Sequence, residues 1–310
     1  MSNMKVAIIG AGNVGAQAAM RILERDLADI VLLDIQEDLA RAKALDMMDA
    51  GAVLGFKSRI YATADYADIK GSEIVVITAG FTRKPGMSRD ELLEKNAGVV
   101  KGAVLEIKQY CPQAIILVVT NPLDILTYLA LKVSEFLPNR VIGMAGVLDC
   151  ARFSVQVAGL SKIASSEIKS VILGSHADKM LILPRFSEYN GKPIEKLLNS
   201  DYLELAKENT RGRGAEIVNL LKGGSAFFAP SAGILKMVEA IIKDKKEIMP
   251  ACAYLEGQYG LKDITLGTLA KIGRGGVEEI IELGLSVDEK AILQQTAEEI
   301  RISFKKLNLT

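Results

Sequence analysis

The chain has a single histidine, His176, among 310 residues. A histidine-rich metal site within one subunit is therefore excluded. Its three cysteines, Cys111, Cys150 and Cys252, are scattered, odd in number and never spaced as CxxC, which implies neither a disulfide framework nor a thiolate metal site. No bound metal is expected. Net charge is also missing, because 38 basic residues balance 38 acidic ones, so no overall field recruits nucleic acid or an anionic membrane. An anionic small substrate would have to be caught by a few local cations. No apolar run approaches the roughly 20 residues that span a bilayer. The start, MSNMKVAIIG, runs straight into a strand-like segment without the charged opening and apolar core of a signal peptide, and the expected location is the cytoplasm. Internal repeats, low-complexity tracts and a Pro/Gly/Ser-rich linker are absent too.

The residues present fit a soluble globular protein: 49% are hydrophobic and 25% charged, enough to build two modest domains or one large one. In the first half, strand-like and helical segments alternate. KVAIIG, DIVLLD, RIYAT, EIVVITAG, IILVVTN and VIGMA read as strands. VGAQAAMRILERD, DLARAKALDMMDA, the stretch from Arg89 to Tyr110 and DILTYLALKVSEF read as helices. Continuous apolar strands between amphipathic helices predict a parallel sheet covered on both faces, an α/β Rossmann-type doubly wound domain over residues 1–145. The rhythm breaks near residue 146. SVILGSH and KMLILPR look like strands near a turn, and DYLELAKENT through EIVNLL like a helix interrupted at RGRG. GILKMVEAIIKDKK reads as a helix, ACAYLEGQYG as a strand, and DEKAILQQTAEEIRISFKKL as a long closing helix. Residues 146–310 are thus expected to form a mixed α+β substrate domain that shares a broad interface with the first.

GAGNVG, residues 10–15, has the pattern GxGxxG. It follows a strand, opens a helix, and is followed about 20 residues later by an acidic residue, Asp34, at the end of the next strand. Gly10 permits the tight turn, Gly12 lets backbone approach a pyrophosphate, and Gly15 allows close helix–strand packing. The N–H groups near Asn13 and Val14 then face phosphates at the positive end of a helix. Asp34 can accept hydrogen bonds from ribose hydroxyls and repels a 2′-phosphate, while Ile35 and Gln36 beside it supply no cation. The expected cofactor is NAD rather than NADP; a plain helix-capping aspartate is the bland alternative.

Three arginines carry the remaining charge pattern. TRKPGMSRDE holds Arg83 and Arg89 between a strand and a helix, and its Pro-Gly pair marks a turn in a loop able to move. Composition alone leaves these two as solvated charge or as ligands of an anion. GVLDCARF supplies Asp149 and Arg152, spaced i, i+3, so that a helix puts both on one face. By itself that is a surface ion pair of little consequence. GSHADKM holds His176, and a lone histidine is more often a structural hydrogen-bonder than a catalyst; Asp178, two residues on, is one candidate partner for it.

The ordered set GAGNVG with Asp34, RKPGMSR, VVTNPLD, GVLDCARF, GSHADKM and LKGGSAFFAPSA runs nearly end to end. It resembles malate dehydrogenases of the type close in sequence to lactate dehydrogenases. The resemblance implies reversible oxidation of (S)-malate to oxaloacetate with NAD, a tricarboxylic acid cycle reaction, and a homodimer or homotetramer. It makes His176 the proton acceptor and donor, with Asp149 holding its other ring nitrogen. It gives Arg152 the carboxylate beside the reacting carbon, Arg89 the carbonyl oxygen that gains charge, and Arg83 the distal carboxylate, where a lactate enzyme typically has glutamine. It assigns Asn121 to the substrate and cofactor, and Asn96 and the Val119 backbone to the nicotinamide side; Ser225 is a further candidate lining residue. One position departs: the family usually has glycine directly after the histidine, and this chain has Ala177. The alternatives are a dehydrogenase of lactate or another 2-hydroxy acid and, in another class, a catalytically silent NAD-sensing protein.

Overall fold

KVAII is apolar at every position after Lys5, and such a strand must be covered on both faces. In the computed structural model, which describes residues 4–82, 87–176 and 179–307, this segment is β1 (Lys5–Ile9). Val6 and Ile8 pack into one apolar layer, and Ala7 and Ile9 into the other, as the period of two requires. The chain continues through α1 (Asn13–Glu24), β2 (Asp29–Leu33), α2 (Glu37–Leu54), β3 (Ile60–Thr63), β4 (Ile74–Ile77), α3 (Arg89–Tyr110), β5 (Ile115–Val118), α4 (Leu123–Ser134) and β6 (Val141–Gly143). These six strands are parallel and lie in the order β3-β2-β1-β4-β5-β6. The order reverses between β1 and β4, the switch point where a doubly wound sheet opens a crevice for ligands. Ile22 and Leu23 of α1 cover one face; Val100 and Val104 of α3, with Leu126 of α4, cover the other.

The second half adds α5 (Gly146–Ser161), the two-residue strands β7 (Ile168–Lys169), β8 (Ile172–Leu173), β9 (Leu181–Ile182), β10 (Glu188–Tyr189) and β11 (Lys192–Pro193), then α6 (Ser200–Leu221), α7 (Phe228–Ile242), β12 (Glu247–Glu256), β13 (Lys262–Gly273), β14 (Gly276–Ile281) and α8 (Val287–Lys306). ACAYLE lies in β12, which pairs antiparallel with β6 and carries β13 and β14 with it. The central sheet therefore grows to nine strands, β14-β13-β12-β6-β5-β4-β1-β2-β3. The two strands expected around GSH are the short antiparallel pair β8–β9. The interruption expected at RGRG does not occur, for α6 runs unbroken through it. Two helical glycines each cost about 1 kcal/mol in an exposed helix. Burial of Ala206 and Thr210 and capping by the Asn199 side chain on the Tyr202 N–H hold the helix nonetheless.

The hairpin of β12 and β13 is tied to α4 at one carboxylate oxygen. Tyr128, Lys132 and Tyr254 all donate to Asp263 Oδ1, at 3.0, 2.9 and 2.9 Å. Phe304 of α8 stacks on Tyr128 with ring centroids 3.9 Å apart. Among the described residues no helix is long and apolar enough to cross a membrane.

Candidate active site

Three glycines do three different things at the turn from β1 into α1. Gly10 has φ +108°, and a Cβ there would lie 2.7 Å from the Ala79 nitrogen. At Gly15 a Cβ would sit 1.9 Å from the Gly10 carbonyl oxygen, so only hydrogen permits α1 to lie this close to the strand end. Around Gly12 there is nothing within 4 Å. This open side faces outward at the N-cap of α1, whose first turn has neither a side-chain cap nor an acidic residue. Backbone N–H groups of Asn13 and Val14 are thus left for a ligand, at a helix end that favours anions. The residues fit a dinucleotide pyrophosphate.

Asp34, directly after β2, is bound to this turn. Its Oδ2 accepts from the Ala11 N–H at 2.6 Å and its Oδ1 from the Gln36 N–H at 2.9 Å. Each carboxylate oxygen retains acceptor capacity for a ribose hydroxyl. A cation does reach the turn, although neither neighbour in sequence supplies it: Lys43, two turns into α2, donates to the Ala11 carbonyl at 2.6 Å.

The ends of β4 and β5 form the next wall. Asn96 of α3 is buried, and its amide joins these two strand ends. Its Oδ1 accepts from the Phe81 N–H at 2.7 Å, while its Nδ2 donates to the Phe81 and Asn121 carbonyls at 3.1 and 2.7 Å. It thereby fixes the wall expected on the nicotinamide side. Val119 continues β5 with its N–H on the Ile77 carbonyl at 2.9 Å. Thr120 donates to the Ala79 carbonyl at 2.8 Å. Asn121 stands exposed just before α4, and it shares with His176 a cavity of about 480 Å³ that also reaches Asp90, Lys179 and Glu299.

His176 follows a sharp exit from β8. Gly174, at φ +85°, exchanges two backbone hydrogen bonds with Gly267 of β13, at 2.8 and 3.1 Å. A Cβ on Gly267 would meet the Gly174 carbonyl at 2.4 Å, so both positions need glycine for this crossing. Beyond it, His176 Nδ1 lies 2.7 Å from Asp149 Oδ2. An ionised carboxylate has no proton to give, so Nδ1–H donates and Nε2 is left for substrate. The other oxygen of Asp149 takes Arg152 Nη1 at 3.3 Å. The i, i+3 spacing on α5 therefore builds one unit of imidazole, carboxylate and guanidinium, with side-chain exposures of 16%, 3% and 13%. Burial pulls the His176 pKa down, but the charge and hydrogen bond of Asp149 outweigh it, and the net shift is upward from 6.5. Buried Nε of Arg152 has no partner among the described residues, which suits a guanidinium awaiting an anion.

Arg83, Ala177 and Asp178 lie outside the described residues, as does the side chain of Arg89. The backbone of Arg89 opens α3 next to a capping box in which Ser88 and Glu91 each bond the other's N–H, at 3.1 and 2.8 Å. Ser225 is exposed in the segment between α6 and α7. Sequence reading passed over the RGRG segment of α6 as a site element. Gly214 lies against the Arg152 guanidinium, 3.5 Å from where its Cβ would be, and the charge of Arg213 also acts on Arg152. It passed over Asp124 as well, whose carboxylate accepts from the Ser175 hydroxyl and the His176 N–H at 2.9 and 3.0 Å. Asp124 closes the VVTNPLD motif and Gly214 the RGRG run, but neither pattern says what these two residues touch; packing brings both to the site.

Known proteins resemble the chain in sequence and in fold. Residues 4–143 match the NAD binding domain of the lactate/malate dehydrogenases, and residues 146–308 match their alpha/beta C-terminal domain. A malate dehydrogenase of Methanosarcina mazei is 45% identical over 306 residues, which are 99% of this chain and all of that one. The crystal structure of Cryptosporidium parvum malate dehydrogenase superposes with a TM-score of 0.96 at 34% identity, covering 99% of this chain and 100% of that one. The lactate dehydrogenase of the same organism, in complex with lactic acid and nicotinamide adenine dinucleotide, gives 0.95 at 36% identity over 100% and 99% of the two chains. The doubly wound sheet, the GAGNVG cradle and these full-length matches place the chain in the lactate/malate dehydrogenase family.

Proposed function

We propose that the chain is an NAD-dependent malate dehydrogenase that interconverts (S)-malate and oxaloacetate. The observation that carries this reading is the buried unit of His176, Asp149 and Arg152, built by α5 against the exit of β8. Malate rather than lactate is supported by the Methanosarcina mazei relative, more similar in sequence than the lactate dehydrogenase structure above, and by Arg83, a third cation for a second carboxylate. NAD, when bound, supplies the hydride acceptor for the oxidation. Gly10, Gly12, Asn13, Val14 and Gly15 would hold its pyrophosphate, Asp34 its adenosine ribose, and Asn96, Val119 and Asn121 the wall of its nicotinamide side.

The work of the protein's own residues follows from charge. A secondary alcohol gives up its hydroxyl proton as its carbon is oxidised, and His176 Nε2 takes that proton. Asp149 fixes the tautomer and stabilises the imidazolium so formed. Arg152 grips the carboxylate next to the reacting carbon, a planar bidentate task that lysine cannot reproduce. Arg89 would stabilise charge on the reacting oxygen, and Arg83 would pair with the distal carboxylate. Residues 1–145 would thus serve the cofactor and residues 146–310 the substrate. We also assign a cytoplasmic location and a homodimer or homotetramer. The exposed Leu45 and Met48 of α2 support self-association, and sedimentation reads the assembly directly.

His176→Asn tests the proposal. Turnover should fall by a factor on the order of 10² to 10⁴ while NADH still binds. Near-normal turnover would leave the histidine a structural residue. A wild-type protein that binds NADH yet turns over no 2-oxo acid would instead be a cofactor sensor.

A further inference from the structure

A doubly wound sheet presents ligands at the carboxyl ends of its strands. A second cavity, of about 440 Å³, lies at the opposite end, where β4 and β5 begin. Its wall includes Ser72 and Glu73 before β4, Ala114 before β5, Arg140 before β6, Ile241 of α7 and Arg274 in the turn between β13 and β14. The length of β4, four residues or about 13 Å, separates it from the cofactor wall. Such a volume, with mostly apolar walls and a few polar groups, is usual for a small-molecule site. Arg140 donates through Nη1 to the Pro112 carbonyl at 3.0 Å and lies over the Phe136 ring, 4.6 Å from its centroid. Arg274 donates through Nη2 to the Ile242 carbonyl at 3.3 Å. Neither is ion-paired among the described residues, and each guanidinium, with five N–H donors, keeps most of them for a ligand. Glu73 is the one acid among the described wall residues; it is exposed, and its Oε2 accepts from the Lys5 N–H at 3.2 Å. Ser72 is 4% exposed, and its hydroxyl is buried without a partner among the described residues, a rare state for such a group.

A backbone clasp brings the two arginines to one rim. Asn139 Nδ2 donates to the Gly275 carbonyl at 2.8 Å. Gly276, at φ +89°, packs so closely that a Cβ there would lie 2.1 Å from the Asn139 carbonyl oxygen. Arg140 follows Asn139 and Arg274 precedes Gly275, so the clasp sets both before any ligand arrives, which lowers the ordering cost of binding. We infer that this cavity is a binding site for a small organic anion. One carboxylate meets Arg140 and Arg274, whose planar forks match it. An apolar body lies on Ile74, Ile115 and Ile241, and a polar substituent reaches the Ser72 hydroxyl. Two cations against Glu73 leave one net positive charge, which suits a single carboxylate on an apolar body rather than a polyphosphate. The inference is independent of the dehydrogenase reading.

Calorimetric titration of the full-length chain with 3-(4-hydroxyphenyl)propionate tests it, with the neutral amide of that acid as the control. Both are titrated into Arg152→Gln, which removes the rival grip on a carboxylate at the dehydrogenase site. The acid should bind with a Kd of about 1 mM or tighter, within reach of a ligand of about 12 non-hydrogen atoms. The amide forms no charge-assisted pair and should bind at least about tenfold more weakly. Adding Arg140→Gln and Arg274→Gln should weaken the acid by at least about tenfold as well. The same two substitutions in the wild-type chain should leave NADH affinity and the melting temperature near normal. No binding of the acid, equal binding of acid and amide, or unchanged affinity after the two substitutions overturns the inference. Should Arg140→Gln not fold, Arg274→Gln alone, at an exposed residue, should weaken the acid severalfold, and unchanged affinity there overturns it instead. Binding is read without turnover, so its failure is distinguishable from failure of the dehydrogenase reading.

Discussion

Replacing each glycine of the cradle by alanine should separate folding from cofactor binding. At Gly15 the new methyl would lie 1.9 Å from the Gly10 carbonyl oxygen and 2.7 Å from Thr78 Oγ1. The first neighbour is backbone, so relief requires α1 to lift from the β1 turn. Overpacking of this kind costs typically about 1–3 kcal/mol and occasionally more. Gly10→Ala combines a contact of 2.7 Å to the Ala79 nitrogen with a φ of +108°, so close packing and backbone strain add there. Gly12 has no neighbour within 4 Å and an ordinary φ of −62°. Alanine there loses the preference for glycine at an N-cap, roughly 0.5–1 kcal/mol, and places a methyl where the pyrophosphate is proposed to approach. Thermal melts and NADH titrations of the three variants are the assay. Gly15→Ala and Gly10→Ala should melt several degrees lower. Gly12→Ala should melt close to wild type and bind NADH at least about tenfold more weakly, roughly 1.4 kcal/mol. Normal NADH affinity in Gly12→Ala, or a wild-type melt in Gly15→Ala, would refute the assignment of these roles.

The pH dependence has a definite sign. In the proposed mechanism reduction needs His176 protonated, and its pKa lies above the ordinary value of 6.5, so kcat/KM for oxaloacetate should fall as pH rises through that raised pKa. Asp149→Asn removes the counter-charge and should move the limb to lower pH; an unmoved limb would detach Asp149 from the imidazole. Arg83→Gln should lower kcat/KM for oxaloacetate by roughly two to four decades, because an unpaired buried charge costs about 3–5 kcal/mol, while the value for pyruvate holds or rises. An equal loss for both substrates would remove Arg83 as the selector. Gly212 is exposed in α6 with nothing within 4 Å, so Gly212→Ala should stabilise by about 0.4–1 kcal/mol, read as a higher melting temperature.

The doubly wound half was legible because its strands are uninterrupted apolar runs and its helices are amphipathic, so periodicity alone marks them. β13 was not, because Lys262, Asp263, Thr265, Thr268 and Lys271 dilute the apolar signal and Gly267 sits inside it. Its position is decided by pairing with β12 and by the Gly174–Gly267 crossing, both contacts distant in sequence. The RGRG run misled for the opposite reason: local propensity argued for a break that packing against α5 overrides. At the site, His176, Asp149 and Arg152 could be named because motif and spacing carry them. Lys43 and Gly214 could not, and Asp124, although it closes the VVTNPLD motif, could not be given a task, since each acts through a neighbour that only the fold brings near.

Steady-state reduction of oxaloacetate and of pyruvate with NADH, on the same preparation, tests the central claim most directly. The proposed set of Arg83, Arg89 and Arg152 around a dicarboxylate should make oxaloacetate the better substrate by at least about a hundredfold in kcat/KM, or roughly 2.7 kcal/mol. Equal or greater efficiency with pyruvate, or no turnover of either by a protein that binds NADH, would contradict it.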